Sequence, residues 1–595
     1  MVLSRWSGVA TALVGAVLVI VTQQAGQLIR GRNPLVHLRT DFWYDQLGYL
    51  AIAANVRNGE YGLSEPVTMT GVSHYPRFYY SLIGWVADVA GLSTVTSWNL
   101  VSLLLQFAAA FCLGFVAVRL SGRIWVGLLT PIPFLTGTFA YLLSDSWYTT
   151  LDAHAVLWGP FGLLFSNNAE TAGLSVGLIA LSALAWVWGT PTARIPRAIV
   201  TIIASVLVGA LSSFQTYSFL SATYLLTFGA ALAGLSLARR RRTAIILSAL
   251  LVVTVFVLGP LLSERIGQLP TLVFGLLPAL PGLVVASVRS RGLVAVATLA
   301  AAAAASVQIV YTVGGMLAGD PFLSYRVASN QNLGVVSWQA LVGSAAVMIP
   351  LIVATFFAIR LKDRVTLVLS ATGLVTLPYL AVNDVWGANA EPYRFWLEGI
   401  LLGGGLAFLG LSLIIGLLYP VSAHGKPPAQ AIRPTKRLFL ALLAVSAVVW
   451  SATVPDWALA MRDPALQGAW DPYTERENAI AQLAASATTE PTDGLLTTEL
   501  CVDNRTAKVN SGSPIANYHL GMAWPDNRGL IDRIMAARDA RELDFDAMRE
   551  SDTAWVLTDS NCDSEWSSRY EAQLQFVESI DYELADGETI SAGSS

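Results

Sequence analysis

Apolar runs long enough to cross about 30 Å of hydrocarbon at 1.5 Å per residue recur along the chain, and no other feature restricts its fold as much. They fall at 8–28, 98–118, 124–143, 170–189, 198–216, 218–238, 243–262, 269–288, 293–314, 338–359, 365–382, 396–418 and 438–455. The expectation is an α-helical polytopic membrane protein of about 13 transmembrane helices. The Gly-, Pro- and Trp-rich stretch at 153–168 is too short to span and fits a re-entrant segment. Composition agrees: 54% of the 595 residues are hydrophobic and 13% charged, where a soluble protein carries roughly 25% charged residues. Residues 8–28 follow Arg5 and lack a small-residue cleavage site, so they read as a retained first helix.

Charge divides the chain in two. Residues 1–455 hold 14 of the 40 acids and 26 of the 36 bases, and residues 456–595 hold the rest. The expected domains are a membrane domain over 1–455, with a long first outer loop at 29–97, and a soluble domain over 456–595. Basic clusters at Arg119/Arg123, Arg194/Arg197, Arg239 to Arg242, Arg289/Arg291, Arg360 to Arg364 and Lys426 to Arg437 occupy every second loop. The positive-inside rule makes that side cytoplasmic. The N-terminus is then expected in the cytoplasm of a plasma (inner) membrane, and the C-terminal domain outside it. Asp363 is the one acid of the membrane region on the basic side; the other 13 lie at the outer face. Ionisable groups at a bilayer are costly unless used, so these acids mark the expected working side.

The first outer loop reads as two short helices. One opens near Thr40 or Asp41 and ends near Asn58-Gly59. The other is an aromatic amphipathic stretch of about 14 residues after Tyr75-Pro76, which suits an interfacial position. Its order is Asp45-Gln46, Tyr49, Gly59, Tyr75-Pro76-Arg77-Phe78-Tyr79-Tyr80, Gly91, then Arg119 to Arg123. Over about 85 residues this resembles the first loop of GT-C glycosyltransferases, the multi-pass enzymes that use polyprenyl-phosphate sugars, among them aminoarabinose, protein O-mannosyl and arabinofuranosyl transferases. It departs from that pattern at Gln46, where a second acid is usual, and at Arg77, where a second Pro is usual.

The resemblance implies an inverting transfer of a sugar from a polyprenyl phosphate to an acceptor hydroxyl, with Asp45 as general base. Asp41, one helical turn earlier, shares its face and would orient Asp45, bind metal or cap the helix. The leaving phosphate needs positive charge. A divalent metal (Mg, Mn or Ca) is one source, with Asp145, Asp152, His154 and Glu170 as candidate ligands. Arginine is the other: Arg394 in the Glu391-Pro392-Tyr393-Arg394-Phe395 element, then Arg326, Arg77 and, with it, His74. An ion pair with Glu391 or Glu398 is the alternative for Arg394, and headgroup anchoring the alternative for His74 and Arg77.

Residues 456–595 alternate short apolar runs with one helical stretch and are expected to form a small extracytoplasmic α/β domain. Cys501 and Cys562 can pair in an oxidising compartment. Asn504-Arg505-Thr506 matches a glycosylation sequon. The domain shows no nucleophile–base constellation and no glycine-rich phosphate loop, and no organic cofactor is expected. Its acidity argues against nucleic acid. The expected partners are a polyprenyl-phosphate sugar donor, a glycan or glycolipid acceptor and membrane lipid. An envelope-polymer polymerase or ligase, and a transporter or flippase, are the competing classes. The first fits poorly because the longest outer loop of the membrane region is the first. The second fits poorly because mid-membrane ionisable residues are scarce. Ala-, Val-, Gly-, Trp- and Arg-rich, Lys-poor composition hints at an actinobacterium, with arabinofuranose or mannose as the sugar.

Overall fold

The computed structural model describes residues 2–40, 43–143, 159–328, 338–419, 433–487, 494–583 and 589–594. It divides into two compact units. The membrane unit comprises Met1–Ile29, Ser102–Val310 and Val327–Gln467. Among the described residues, 11 helices are long and apolar enough to span: Trp6–Ile29, Thr94–Ser121, Ala169–Gly189, Arg194–Ser213, Thr216–Leu237, Arg241–Ile266, Gln268–Arg289, Leu293–Leu317, Arg364–Ala381, Pro392–Leu418 and Pro434–Arg462. Several leave apolar side chains uncovered. Ile246, Leu250, Val253, Val257 and Leu261 of Arg241–Ile266 are all exposed, the mark of a helix solvated by lipid. Contacts between helices use small residues. A Cβ on Gly234 would lie 1.9 Å from the Gly282 carbonyl oxygen, so glycine there lets two backbones meet.

Two of the thirteen expected spans are shorter than the rest. In 124–143, Ile124–Leu129 is a 3-10 helix and Pro131–Phe134 a single turn; Pro131 and Pro133 bring no N–H to continue a ladder. In 338–359, the short helix Trp338–Gly343 gives way to Ala345–Leu361 at Ser344. The 153–168 stretch contains the helix Pro160–Phe165, whose six residues are all buried.

The second unit comprises Arg30–Val101, Tyr311–Arg326 and Gly468–Ser595. The first outer loop therefore folds with the C-terminal domain. Its helices are Trp43–Arg57 and Phe78–Ala90. They touch at Gly84, where a Cβ would lie 2.3 Å from the Ala53 carbonyl oxygen. Strand β1 (Leu38–Arg39) pairs antiparallel with β2 (Ala469–Trp470). A four-stranded sheet has the order β3 (Leu495–Thr498), β4 (Thr553–Asp559), β6 (Thr589–Ser594), β5 (Glu578–Glu583). β3 and β4 are parallel, so the chain between them makes a crossover through the helices Asn504–Ser511, Arg528–Asp539 and Phe545–Glu550. β6 is antiparallel to both its neighbours. Ile480 and Leu483 of helix Glu475–Ala487 pack with Leu496, Leu557, and Ala51 of the first loop. Cys501 and Cys562 form a disulfide. Asn504, the sequon asparagine, is 3% exposed in the folded domain.

Candidate active site

Asp45 lies in the first turn of helix Trp43–Arg57, where the helix dipole favours a carboxylate. Its Oδ1 is 2.9 Å from Nε2 of His519. The backbone N–H of Gly521 donates to the other ring nitrogen, Nδ1, at 3.1 Å. Nδ1 therefore carries the lone pair and Nε2 the proton, and His519 donates to Asp45 as a neutral imidazole. The histidine side chain is 5% exposed and the aspartate 51% exposed. A fixed donor thus orients a carboxylate that still meets solvent. Gly48 makes room for the ring: a Cβ there would lie 2.5 Å from His519 Cδ2. Tyr44 and Tyr49 flank the imidazole at 5.3 and 6.0 Å, and Tyr49 stacks on Tyr80 at 4.8 Å.

Beneath this pair sits Glu65, fully buried. It accepts from the backbone N–H groups of Val67 (3.0 Å), Thr68 (2.7 Å) and His519 (3.3 Å) and from the Thr68 hydroxyl. Burial outweighs those bonds and pushes its carboxyl up to about 7. Lys508, also buried, donates to the Gly512 carbonyl at 2.7 Å and is pushed down to about 7 by the same loss of water.

Of the residues expected to meet phosphate, Arg77 donates to the carbonyls of Gly62 and Ser64 and so clamps its own loop; burial lowers its guanidinium from the ordinary value. His74 faces Asp320 at 3.7 Å and stacks near Tyr311 at 4.5 Å. Arg326 lies in helix Pro321–Ala328, half-buried.

In the membrane unit Arg394 meets carboxylates. Its Nε donates to Glu391 and its Nη1 to Glu170 at 3.2 Å, while the guanidinium lies 5.2 Å from the Tyr217 ring centre. Glu391 stands at φ 38°, a left-handed conformation uncommon outside glycine, directly before Pro392. Glu398, fully buried, accepts from the hydroxyls of Ser218 and Ser221. Glu170, expected as a metal ligand, is therefore an ion-pair partner here. Asp41, Asp145, Asp152 and His154 lie outside the described residues. Among the described residues no three His, Cys, Asp or Glu side chains converge as a metal site requires, so those residues do not by themselves fit a bound cation.

Sequence reasoning passed over His519, Glu65 and the Ser218/Ser221 pair. His519 was the findable one, being one of only five histidines; nothing local links it to Asp45, 474 residues away.

No family model and no curated protein matches the chain. Solved structures align with it over most of its length. ArnT from Cupriavidus metallidurans bound to undecaprenyl phosphate is 12% identical, with a TM-score of 0.43, covering 97% of this chain and 96% of that one. The Archaeoglobus fulgidus oligosaccharyltransferase in its apo form is 11% identical, with a TM-score of 0.45, covering 92% and 69%. The same oligosaccharyltransferase tethered with an acceptor peptide is 12% identical, with a TM-score of 0.45, covering 98% and 74%. These likenesses, at 11 to 12% identity and TM-scores below 0.5, are remote.

Proposed function

We propose that the chain is an inverting glycosyltransferase. It moves a sugar, arabinofuranose or mannose, from a polyprenyl-phosphate donor to a cell-envelope glycan or glycolipid at the outer face of the bacterial plasma membrane. The observation that carries this reading is the half-exposed Asp45 carboxylate, held by the Nε2–H of a buried neutral His519. An acceptor hydroxyl is a poor nucleophile until a base takes its proton. The hydroxyl oxygen bonds to the anomeric carbon, its proton passes to Asp45, and the carbon–oxygen bond to phosphate breaks with its electron pair on the departing polyprenyl phosphate. His519 is a positioning residue: it fixes the direction of the carboxylate lone pair. Arg394 serves an anionic ligand through the N–H groups that its two carboxylates do not take.

Transport is disfavoured by where charge stands in the described spans. Glu170 and Arg394 sit in the first turns of their helices, and not at mid-span.

The test is transfer by membranes supplied with labelled polyprenyl-phosphate arabinofuranose and mannose. Asp45→Asn is expected to lower turnover by about 100-fold or more. His519→Ala should lower kcat about 10-fold with little change in KM, and His519→Gln, which keeps a donor N–H, should recover part of it. Wild-type turnover in Asp45→Asn removes Asp45 from the mechanism. Chelation in the same assay settles the metal: undiminished turnover excludes a requirement for Mg, Mn or Ca.

A further inference from the structure

Arginine gathers without a partner at one end of the membrane unit. Arg239, Arg240, Arg241 and Arg242 stand at the turn between the helices Thr216–Leu237 and Arg241–Ile266, and Arg289 and Arg291 at the turn between Gln268–Arg289 and Leu293–Leu317. The two turns are neighbours. A Cβ on Gly234 would lie 1.9 Å from the Gly282 carbonyl oxygen and 2.8 Å from the Ala286 backbone nitrogen. The helices Thr216–Leu237 and Gln268–Arg289 therefore touch about one turn before each of them ends.

All six arginines are exposed. Among the described residues, none of their side chains pairs with an acid or donates to a protein acceptor. The other basic clusters of the unit each commit a cation to the protein. Arg123 donates to the Tyr419 carbonyl at 2.9 Å, Arg197 to the carbonyls of Val187 and Thr192 at 3.1 and 2.9 Å, and Arg360 to the Thr435 hydroxyl at 3.3 Å. Lys436 lies 4.7 Å from the Tyr419 ring centre. Asp363, the acid expected among the basic loops, is spent on the Thr366 N–H at 2.8 Å. The helix Arg241–Ile266 opens on two of the six with no acid in its first turn, so cations stand at the positive end of its dipole. Like charges crowded in this way repel, and an anion placed among them relieves the cost.

The surface next to the arginines selects the kind of anion. The helices Arg241–Ile266 and Gln268–Arg289 pack on one another, and both bare apolar faces. Ile246, Leu250, Val253 and Val257 of the first, and Val284 and Val288 of the second, are all more than half exposed. Val284 and Val288 form a stripe that runs up to Arg289. A free phosphate meets only the guanidinium groups. A phospholipid meets both parts: its phosphate oxygens accept from arginine in a forked geometry, and its acyl chains lie on the apolar faces.

We propose that this end of the membrane unit is a binding surface for anionic phospholipid, with the headgroup phosphate among Arg239 to Arg242, Arg289 and Arg291. A lipid that carries two phosphodiesters satisfies more of the six than a lipid with one. None of these residues belongs to the site around Asp45, so the proposal stands apart from the glycosyl-transfer reading.

The test is lipid selection by the purified full chain. In detergent it is offered equal amounts of cardiolipin, phosphatidylglycerol and phosphatidylcholine, and bound lipid is read by native mass spectrometry. Cardiolipin should be retained about 10-fold or more over phosphatidylcholine, with phosphatidylglycerol between them, and a millimolar excess of inorganic phosphate should not displace it. Arg240→Gln/Arg241→Gln/Arg289→Gln should weaken cardiolipin binding about 10-fold or more, whereas the same three positions changed to Lys, which keeps the charge, should weaken it about threefold or less. Arg194→Gln/Arg364→Gln/Arg437→Gln removes equal charge from other basic loops and should change it less than about twofold. Equal retention of phosphatidylcholine and cardiolipin, displacement by phosphate, or a first glutamine triple that binds no more weakly than the second overturns the proposal.

Discussion

Glu65 shows what one buried proton does to a fold. Its carboxyl is raised from 4.5 to about 7, so the folded chain keeps a proton that the unfolded chain releases. The stability this group contributes is fully present below about pH 4.5 and is lost as pH rises through about 7, a loss on the order of 3 kcal/mol. Lys508, lowered from 10.5 to about 7, runs the other way. The unfolded chain holds its proton more tightly, so stability is regained as pH rises from about 7 towards 10.5. The two opposed limbs put a minimum near neutrality. In thermal unfolding across pH 4.5 to 9, Glu65→Gln should lose the falling limb and Lys508→Met the rising one; a falling limb unchanged in Glu65→Gln would assign it elsewhere. Neither group was legible beforehand. Glu65 looks like any loop acid until Val67, Thr68 and His519 close over it. That Asp45 stands near the start of a helix was legible, because the signals that open a helix are local. His519 was not, because the pairing is made by tertiary structure.

Elements were easier to read than pairings. The aromatic stretch after Pro76 is the helix Phe78–Ala90, and its faces separate as an interfacial helix requires. Tyr79, Tyr80, Ile83 and Ala87 are buried, whereas Phe78, Trp85 and Val89 are exposed along one stripe. The runs GLLTTELCV and TAWVLTD became β3 and β4, but their parallel pairing could not be read, since it depends on the long crossover between them. The disulfide ties the ends of those strands together. Cys501 follows β3 and Cys562 follows β4, 61 positions apart in the chain. Closing a loop of that size removes enough chain entropy from the unfolded state to stabilise by about 4 kcal/mol. Amide exchange in β3 and β4 should therefore quicken strongly in Cys562→Ala and on reduction, with the membrane helices unaffected. Equal protection in the oxidised and reduced protein would show that the sheet holds without the link.

At the scale of the whole chain, the composition of the second unit counts the membrane crossings. Residues 30–101, 311–326 and 468–595 pack as one body, so all three stand on one side of the bilayer, and the chain must cross an even number of times between any two. Among the described residues there are seven long apolar helices from Val101 to Tyr311, and three from Arg326 to Gly468. Both counts are odd. Each becomes even if the short apolar segment in its interval also crosses: Ile124–Phe134, continued to Leu143, in the first, and Ala345–Leu361 in the second. Seventeen helical residues reach about 26 Å, close to the hydrocarbon thickness, and a local thinning closes the difference. Thirteen crossings would then result, the number expected from the sequence, and the positive-inside rule would put the basic loops on the side away from Glu60. Single cysteines in a Cys112→Ser background test this on intact cells with a membrane-impermeant maleimide. Glu60→Cys and Ala318→Cys should label, whereas Ala193→Cys and Arg364→Cys should label only after the membrane is opened. Labelling of Glu60→Cys without Ala318→Cys would break the parity, and with it the claim that the first loop and the C-terminal domain work from the same side of the membrane.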